Sequence, residues 1–288
     1  MEERLSRLNA LMGEAKRATL YLALLLLGVI VFFLFLGAPY AALLGGLTLL
    51  CYLAFLRPAQ QKYRLAAQEA RLLASAKTLE EPAFCRESPF TAEAVCSRGL
   101  IPMNAAGAML RYGLTGGAEP FRATLGDLSC VYTFSTGGRR AATFSGCLAE
   151  LARTEDAGVT CVFCPRQLLP EETLTAFYAA QGLQQRPIPS EGLLLYEDPA
   201  RPISDETLRS ALPALSALGD VALRVDEQGV FALVMHRFLN LGEPDLKRPW
   251  TEERLREDAL PWLPGFLEAA RTFDFDPKES EENQNGNA

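Results

Sequence analysis

"LFLGAPYAALL", residues 34–44, sits near the middle of a stretch with no charged residue from position 18 to position 56. Those letters fit either the midpoint of one long helix or the tip of a hairpin, and the placement of everything downstream depends on the choice. One straight helix over 18–56 would be about 58 Å long, roughly twice a bilayer core of about 30 Å. Gly37 frees the backbone, and Pro39 lacks the N–H that a continuing helix needs while suiting a first turn. The chain is therefore expected to turn at 37–39 and come back.

The two arms are strongly apolar. Of the nineteen residues 18–36, fourteen are Leu, Ile, Val or Phe, and residues 40–56 contain eight more. On an insertion scale the first arm sums to about −4 to −8 kcal/mol. Its length of about 28 Å matches a single crossing. A signal peptide has a shorter apolar core and small residues at a cleavage site. A soluble hairpin of two all-round apolar helices needs a large partner to cover it. The expectation is a two-span transmembrane hairpin over 18–56. Arg4, Arg7, Lys16 and Arg17 precede it, Arg57, Lys62 and Arg64 follow it, and the turn is uncharged. The positive-inside rule then places both termini in the cytoplasm. Gly45-Gly46 suits close helix contact or simple tolerance of the bilayer.

Amphipathic extensions continue from both arms. Leu5, Leu8, Leu11, Met12 and Ala15 recur at helical steps over 1–17, and Leu65, Leu72, Leu73, Ala76 and Leu79 do so over 57–80. Packed antiparallel, they make short stalk helices, with Pro58 as a kink.

The remainder mixes elements without a βαβ repeat, so the expected class is an α+β cytoplasmic domain over 81–273. "EEPAFCRESPF" reads as turn-rich. Helices are expected at 91–97, 170–182, 204–218, 251–259 and 265–273. Strands are expected at 121–134 (interrupted at Gly126-Asp127), 141–148, 159–163 and 193–197, with a hairpin of 221–225 and 230–238 across "DEQG". "STGGRR" has hairpin chemistry. Residues 274–288 read as a disordered acidic tail.

Composition narrows function. Net charge is −7, and residues 251–288 carry ten acids against four bases, so the rest is nearly balanced. That argues against a nucleic-acid coat, and Arg139-Arg140 is too small a basic patch. Seven cysteines, odd in number and scattered, suit reduced cytosolic thiols. "TCVFCP" places Cys161 and Cys164 in C-x-x-C spacing. Buried structural thiols are the favoured account, with a redox pair and a metal site as alternatives. Strand residues three apart point to opposite faces, and zinc would need two further ligands. No metal or cofactor is called for. The single histidine, His236, alternates with Val234 and Phe238 as a sheet residue does. "YGLTGG", residues 112–117, lacks the Lys and Ser/Thr of a phosphate loop, so turns explain it and "STGG". Glu171-Glu172, Asp205-Glu206 and Glu252-Glu253 open helices, where acids oppose the dipole. Trp250, Trp262 and Phe266 suit core packing better than lipid contact. Two spans without intramembrane charge form no transport path alone.

The hairpin, the α+β domain, "TFSG" at 143–146 ending a strand, and "PISDETLRSALPALSAL" before a strand hairpin together resemble a family of bacterial two-span membrane proteins, domain of unknown function family 3137. The likeness covers residues 20–238. Where that family often carries an acid near "YGLTGG", this chain has Leu114 and Thr115. The resemblance implies a bacterial inner-membrane architecture and no activity. The resulting expectation is a membrane-anchored protein whose cytoplasmic domain binds, senses or scaffolds. Its partners would be the lipid bilayer and a protein, another copy of the chain among the candidates, with no nucleic acid. A membrane-tethered thiol oxidoreductase using Cys161 and Cys164 is the alternative.

Overall fold

A computed structural model describes residues 2–135, 139–153, 158–237, 239, 246–256 and 260–273. The chain divides into two compact units. One is Met1–Ser75 with Leu241–Ala259, the other Ala76–Asn240 with Leu260–Ala288. The boundary expected at position 81 therefore does not capture the division, because residues 246–256 belong with the helices.

In the helical unit, α1 runs over Glu2–Leu36 and α2 over Ala38–Cys51, with Gly37 between them at φ 87° and a proline in the first turn of α2. The break falls where glycine alone adopts that backbone easily. A π-helical turn, Tyr52–Leu56, leads straight into α3, Arg57–Ser75. Ahead of Pro58, the position of the expected kink, the helix widens by this π-helical turn, in which the Arg57 N–H donates to the Tyr52 carbonyl. Widening the turn accommodates a ring that would otherwise crowd the preceding carbonyls. Both α1 and the continuous helix Ala38–Ser75 are long and apolar enough to cross a membrane. Only 6% and 12% of their most apolar windows are buried, so these are not the core helices of a globular domain. The Thr19 and Thr48 hydroxyls donate to the carbonyls of Ala15 and Leu44 at 2.9 and 2.8 Å, which satisfies both donors within their own helices. The glycine that faces the partner helix is Gly28, whose added Cβ would lie 3.8 Å from Leu44. A Cβ added at Gly45 or Gly46 would meet nothing within 4 Å in the chain.

Below the apolar arms, α1 packs on α3. Leu8, Met12 and Ala15 bury against Tyr63 and Ala67, flanked by Ala66, Ala70 and Ala74. The buried stripe of α3 is Tyr63, Ala67 and Leu72, so of the leucines the periodicity suggested Leu72 belongs to it, and Ala76 and Leu79 are buried just beyond the helix. Leu65 is only half-buried and the helix ends at Ser75, before Ala76 and Leu79. Small residues let the two backbones approach, and Tyr63 fills the remaining gap. Trp250 and Leu255 complete this core. Leu255 lies on α7, Glu252–Arg256.

The second unit is a nine-stranded sheet in which every pairing is antiparallel. Its strands are β1 Glu80–Cys85, β2 Met109–Ala118, β3 Phe121–Ser135, β4 Arg139–Ala152, β5 Cys161–Pro165, β6 Gln184–Arg186, β7 Leu193–Glu197, β8 Val221–Asp226 and β9 Gly229–Met235. Their order across the sheet is β1-β2-β3-β4-β9-β8-β5-β7-β6. One face, with Leu128, Phe144, Val162, Tyr196 and Phe231, buries against α4 (Ala92–Ser97) and α5 (Glu171–Ala179) through Val95, Leu174 and Tyr178. Alternate residues point the other way. There Phe163 meets Phe273 at 5.9 Å, and α6 (Asp205–Leu218) packs on α8 (Leu263–Arg271). The class is α+β, as expected.

Several local expectations are corrected. "EEPAFC" forms β1 and "YGLTGG" lies inside β2, so neither is a turn. The glycines serve close packing instead. A Cβ on Gly113 would sit 2.3 Å from Pro89 Cδ, and one on Gly116 would sit 2.9 Å from Leu79 Cβ. Glycine in a strand marks such close approach as readily as it marks a turn. Register shifts at Arg111/Gly113 and Glu80/Ala83 coincide with positive φ at Tyr112 and Glu81, which are β-bulges. β3 passes through Gly126-Asp127 without interruption, and β4 continues past the "TFSG" motif to Ala152. β5 begins two residues later than expected, and β9 ends at Met235. The connection at 136–138, residues 257–259 and the tail 274–288 lie outside the described residues.

Candidate functional site

Cys161 and Cys164 stand on β5, the innermost of the short strands, paired with β8 on one side and β7 on the other. Both are fully buried and all seven cysteines are free. Cys164 joins the core on the face covered by α5, beside Tyr178, while Cys161 points to the opposite face with Phe163. Burial pushes the Cys164 thiol up to about 12, although the Tyr178 hydroxyl acts in the opposite direction. Burial, aided by the Glu197 carboxylate, raises Cys161 as well. Burial thus favours the protonated Cys164 thiol at neutral pH, whereas exchange chemistry requires an exposed thiolate. The C-x-x-C pair is thus placed as two buried thiols on opposite faces of β5. Among the described residues no group of three or more His, Cys, Asp or Glu is placed to hold a metal ion.

His236 does not lie in a strand. It follows β9 in a turn at φ 59°, exposed, with its backbone N–H donating to the Ser145 carbonyl at 3.0 Å. The acidic pairs fall in the first turns of α5, α6 and α7, as helix-dipole partners. Trp250 and Trp262 are both buried.

Two polar constellations escaped the sequence because their members are scattered along it. In the first, Arg98 follows α4 and reaches back over the sheet. It pairs with Glu150 of β4 at 2.8 Å and Asp226 of β8 at 3.4 Å, and its guanidinium lies 5.2 Å from the Phe231 ring centroid. Arg224 closes the circuit, donating to Asp226 at 2.9 Å and to the Gln181 side chain at 2.7 Å. Two cations face two anions, so the cluster is self-neutralised, and it pins α4 and the end of α5 to the sheet. The second is a groove of about 520 Å³ at one end of the sheet, lined by Arg166, Gln167, Ser190, Glu191, Ser216 and Asp220. That is the size of a small-ligand site. Its polar groups already serve the fold: Gln167 donates to Asp220 at 2.9 Å, Arg166 pairs with Glu171 at 2.8 Å, and the Ser190 hydroxyl accepts the Leu193 N–H at 3.3 Å.

The largest unsatisfied surface lies on the helical unit. Leu27, Phe35, Leu43 and Phe55 are between 56% and 81% exposed, and the neighbouring large apolar side chains of both arms are likewise exposed. Patches of more than a few hundred Å² on a soluble monomer mark a membrane or protein interface. No family model, no curated protein and no solved structure matches the chain.

Proposed function

We propose that the chain is a two-pass protein of the bacterial inner membrane, with both termini in the cytoplasm, whose α+β unit serves as a binding, sensing or scaffolding domain. The observation that carries this is the exposed apolar surface of α1 and α2. In water that surface would be a severe liability, and in lipid it is the ordinary state of a span. The charge pattern supports the orientation, since all the flanking cations lie at the base and none at the Gly37 turn. The resemblance to family 3137 points the same way. For the α+β unit, the concave groove of about 520 Å³ at the end of the sheet supports the binding role.

Alkaline extraction of membranes, combined with a carboxy-terminal reporter, tests the anchor. The chain is expected to remain in the pellet, with its reporter active only on the cytoplasmic side. Release by alkaline wash, or reporter activity outside the cytoplasm, overturns it. Cross-linking from Arg166→Lys in intact membranes tests the binding role, and a cross-linked protein band lost on Asp220→Arg is the expected result.

A further inference from the structure

Between Glu14 and Glu69 the chain contains no acidic residue, yet it contains five cations: Lys16, Arg17, Arg57, Lys62 and Arg64. The fold brings them to one level. Gln60 donates its side-chain N–H to the Thr19 hydroxyl at 3.2 Å, which sets residue 60 of α3 beside residue 19 of α1. The helices run in opposite directions from that contact at about 1.5 Å per residue. Arg17 and Lys62 therefore come to equal height, Lys16 and Arg64 lie just below, and Arg57 lies about one turn above. The band is about 10 Å deep. Exposed Leu20 and Tyr21 lie within its upper part and exposed Phe55 just above it, and Lys16, Arg17, Arg57 and Lys62 are themselves exposed.

We propose that this band is a binding surface for anionic phospholipid headgroups, with the lipid phosphodiester as the counter-charge of Lys16, Arg17, Arg57 and Lys62. The inference rests on the membrane reading above. If the arms occupy hydrocarbon, a 10 Å band directly beneath them occupies the headgroup layer. Lys16, Arg17, Arg57 and Lys62 held so close repel one another; Glu14 lies at the foot of the band, and residues 15–68 add no further acid to offset the four. A zwitterionic headgroup compensates them weakly, whereas an anionic one does so directly. The adjoining tyrosine at position 21 suits the same interfacial depth.

The test uses the full chain reconstituted into phosphatidylcholine vesicles containing a minor fraction of phosphatidylglycerol. Spin-labelled analogues of each lipid report the layer in contact with protein. Phosphatidylglycerol is expected to be preferred about fivefold at low salt, with the preference falling as salt rises. The K16Q/R17Q/R57Q/K62Q variant is expected to bring the ratio close to one while still floating with the vesicles, and R17E/K62E to take it below one. Equal lipid preference in the unaltered chain, or preference undiminished in the quadruple variant, overturns the proposal. A chain that fails to float with vesicles of either composition overturns the anchor itself, so the two failures are distinguished by flotation.

Discussion

The side chain of Asn9 and the peptide groups of Trp250 form a closed pair of hydrogen bonds. The Trp250 N–H donates to Asn9 Oδ1 at 2.9 Å, and Asn9 Nδ2 donates to the Trp250 carbonyl at 3.2 Å, across 241 positions of sequence. The indole N–H of Trp250 donates to the Tyr63 hydroxyl at 3.0 Å, and the Arg254 guanidinium stacks 4.4 Å above its ring centroid. Asn9→Ala leaves a part-buried donor and acceptor without their partner, at an expected cost of about 1–3 kcal/mol. Faster hydrogen exchange at the Trp250 amide is the readout. Asn9→Asp keeps the acceptor and loses the donor, so its exchange rate is expected to fall between the two. Exchange unchanged in Asn9→Ala would count against the pairing.

Gly146 allows β4 and β9 to approach more closely than any other residue would. A Cβ there would lie 2.2 Å from the Val234 carbonyl oxygen and 2.9 Å from Met235 Cα, both backbone atoms that cannot swing aside. Gly146→Ala is expected to destabilise the sheet by about 2–4 kcal/mol in denaturant titration. Gly192, with nothing within 4 Å, is the matched control, and alanine there is expected to be within about 0.5 kcal/mol of neutral.

Arg98 is only 10% exposed and compensates Glu150 while sharing Asp226 with Arg224. Arg98→Met leaves the partly exposed carboxylate of Glu150 without its cation, with an expected loss of about 1–3 kcal/mol. Arg98→Lys is expected to recover only part of this, since an ammonium cannot span both acids as a planar fork does. Adding Glu150→Gln to Arg98→Met should restore stability, and a strictly additive double variant would contradict the coupling.

The buried thiols make stability fall in alkali. Burial raises Cys164 from 9.0 to about 12 in the folded chain. Between those values the unfolded chain has lost the proton and the folded chain retains it. Stability is therefore full below about pH 9 and declines by about 1.4 kcal/mol per pH unit for this thiol as pH rises toward 12. Cys164→Ala should flatten that slope, measured as the denaturation midpoint across alkaline pH. Native-state alkylation should leave Cys130, Cys147, Cys161 and Cys164 unmodified, since all four are buried. Labelling of Cys161 and Cys164 at the rate of exposed thiols would instead favour the oxidoreductase reading.

Local signals carried much of the fold. The Gly37 break, the Ser204 cap that accepts the Thr207 N–H at 3.1 Å, and the strand Leu193–Glu197 were all legible because each is written within a few residues. What failed was set by distant neighbours. Gly113 and Gly116 looked like turn residues because the segment that crowds them, Leu79 to Pro89, is revealed only by the pairing of β1 with β2. Leu65 looked like core because leucine usually is, yet the gap beside α1 was filled by Tyr63 with its hydroxyl already spoken for by Trp250. His236 read as a strand residue until β9 ended one position earlier. The Arg98 cluster had no sequence signature at all, since its acids lie 52 and 128 positions away.

The chain passes between its two units three times, after Ser75, after Asn240 and after Ala259. On the ribosome, the hairpin therefore emerges first but waits through the whole of β1 to β9 before Trp250 arrives to close its base. A nascent product released anywhere in that interval lacks the hydrogen bonds that Trp250 makes to Asn9 and Tyr63. The helical unit is thus completed only after all of β1 to β9 has been synthesised.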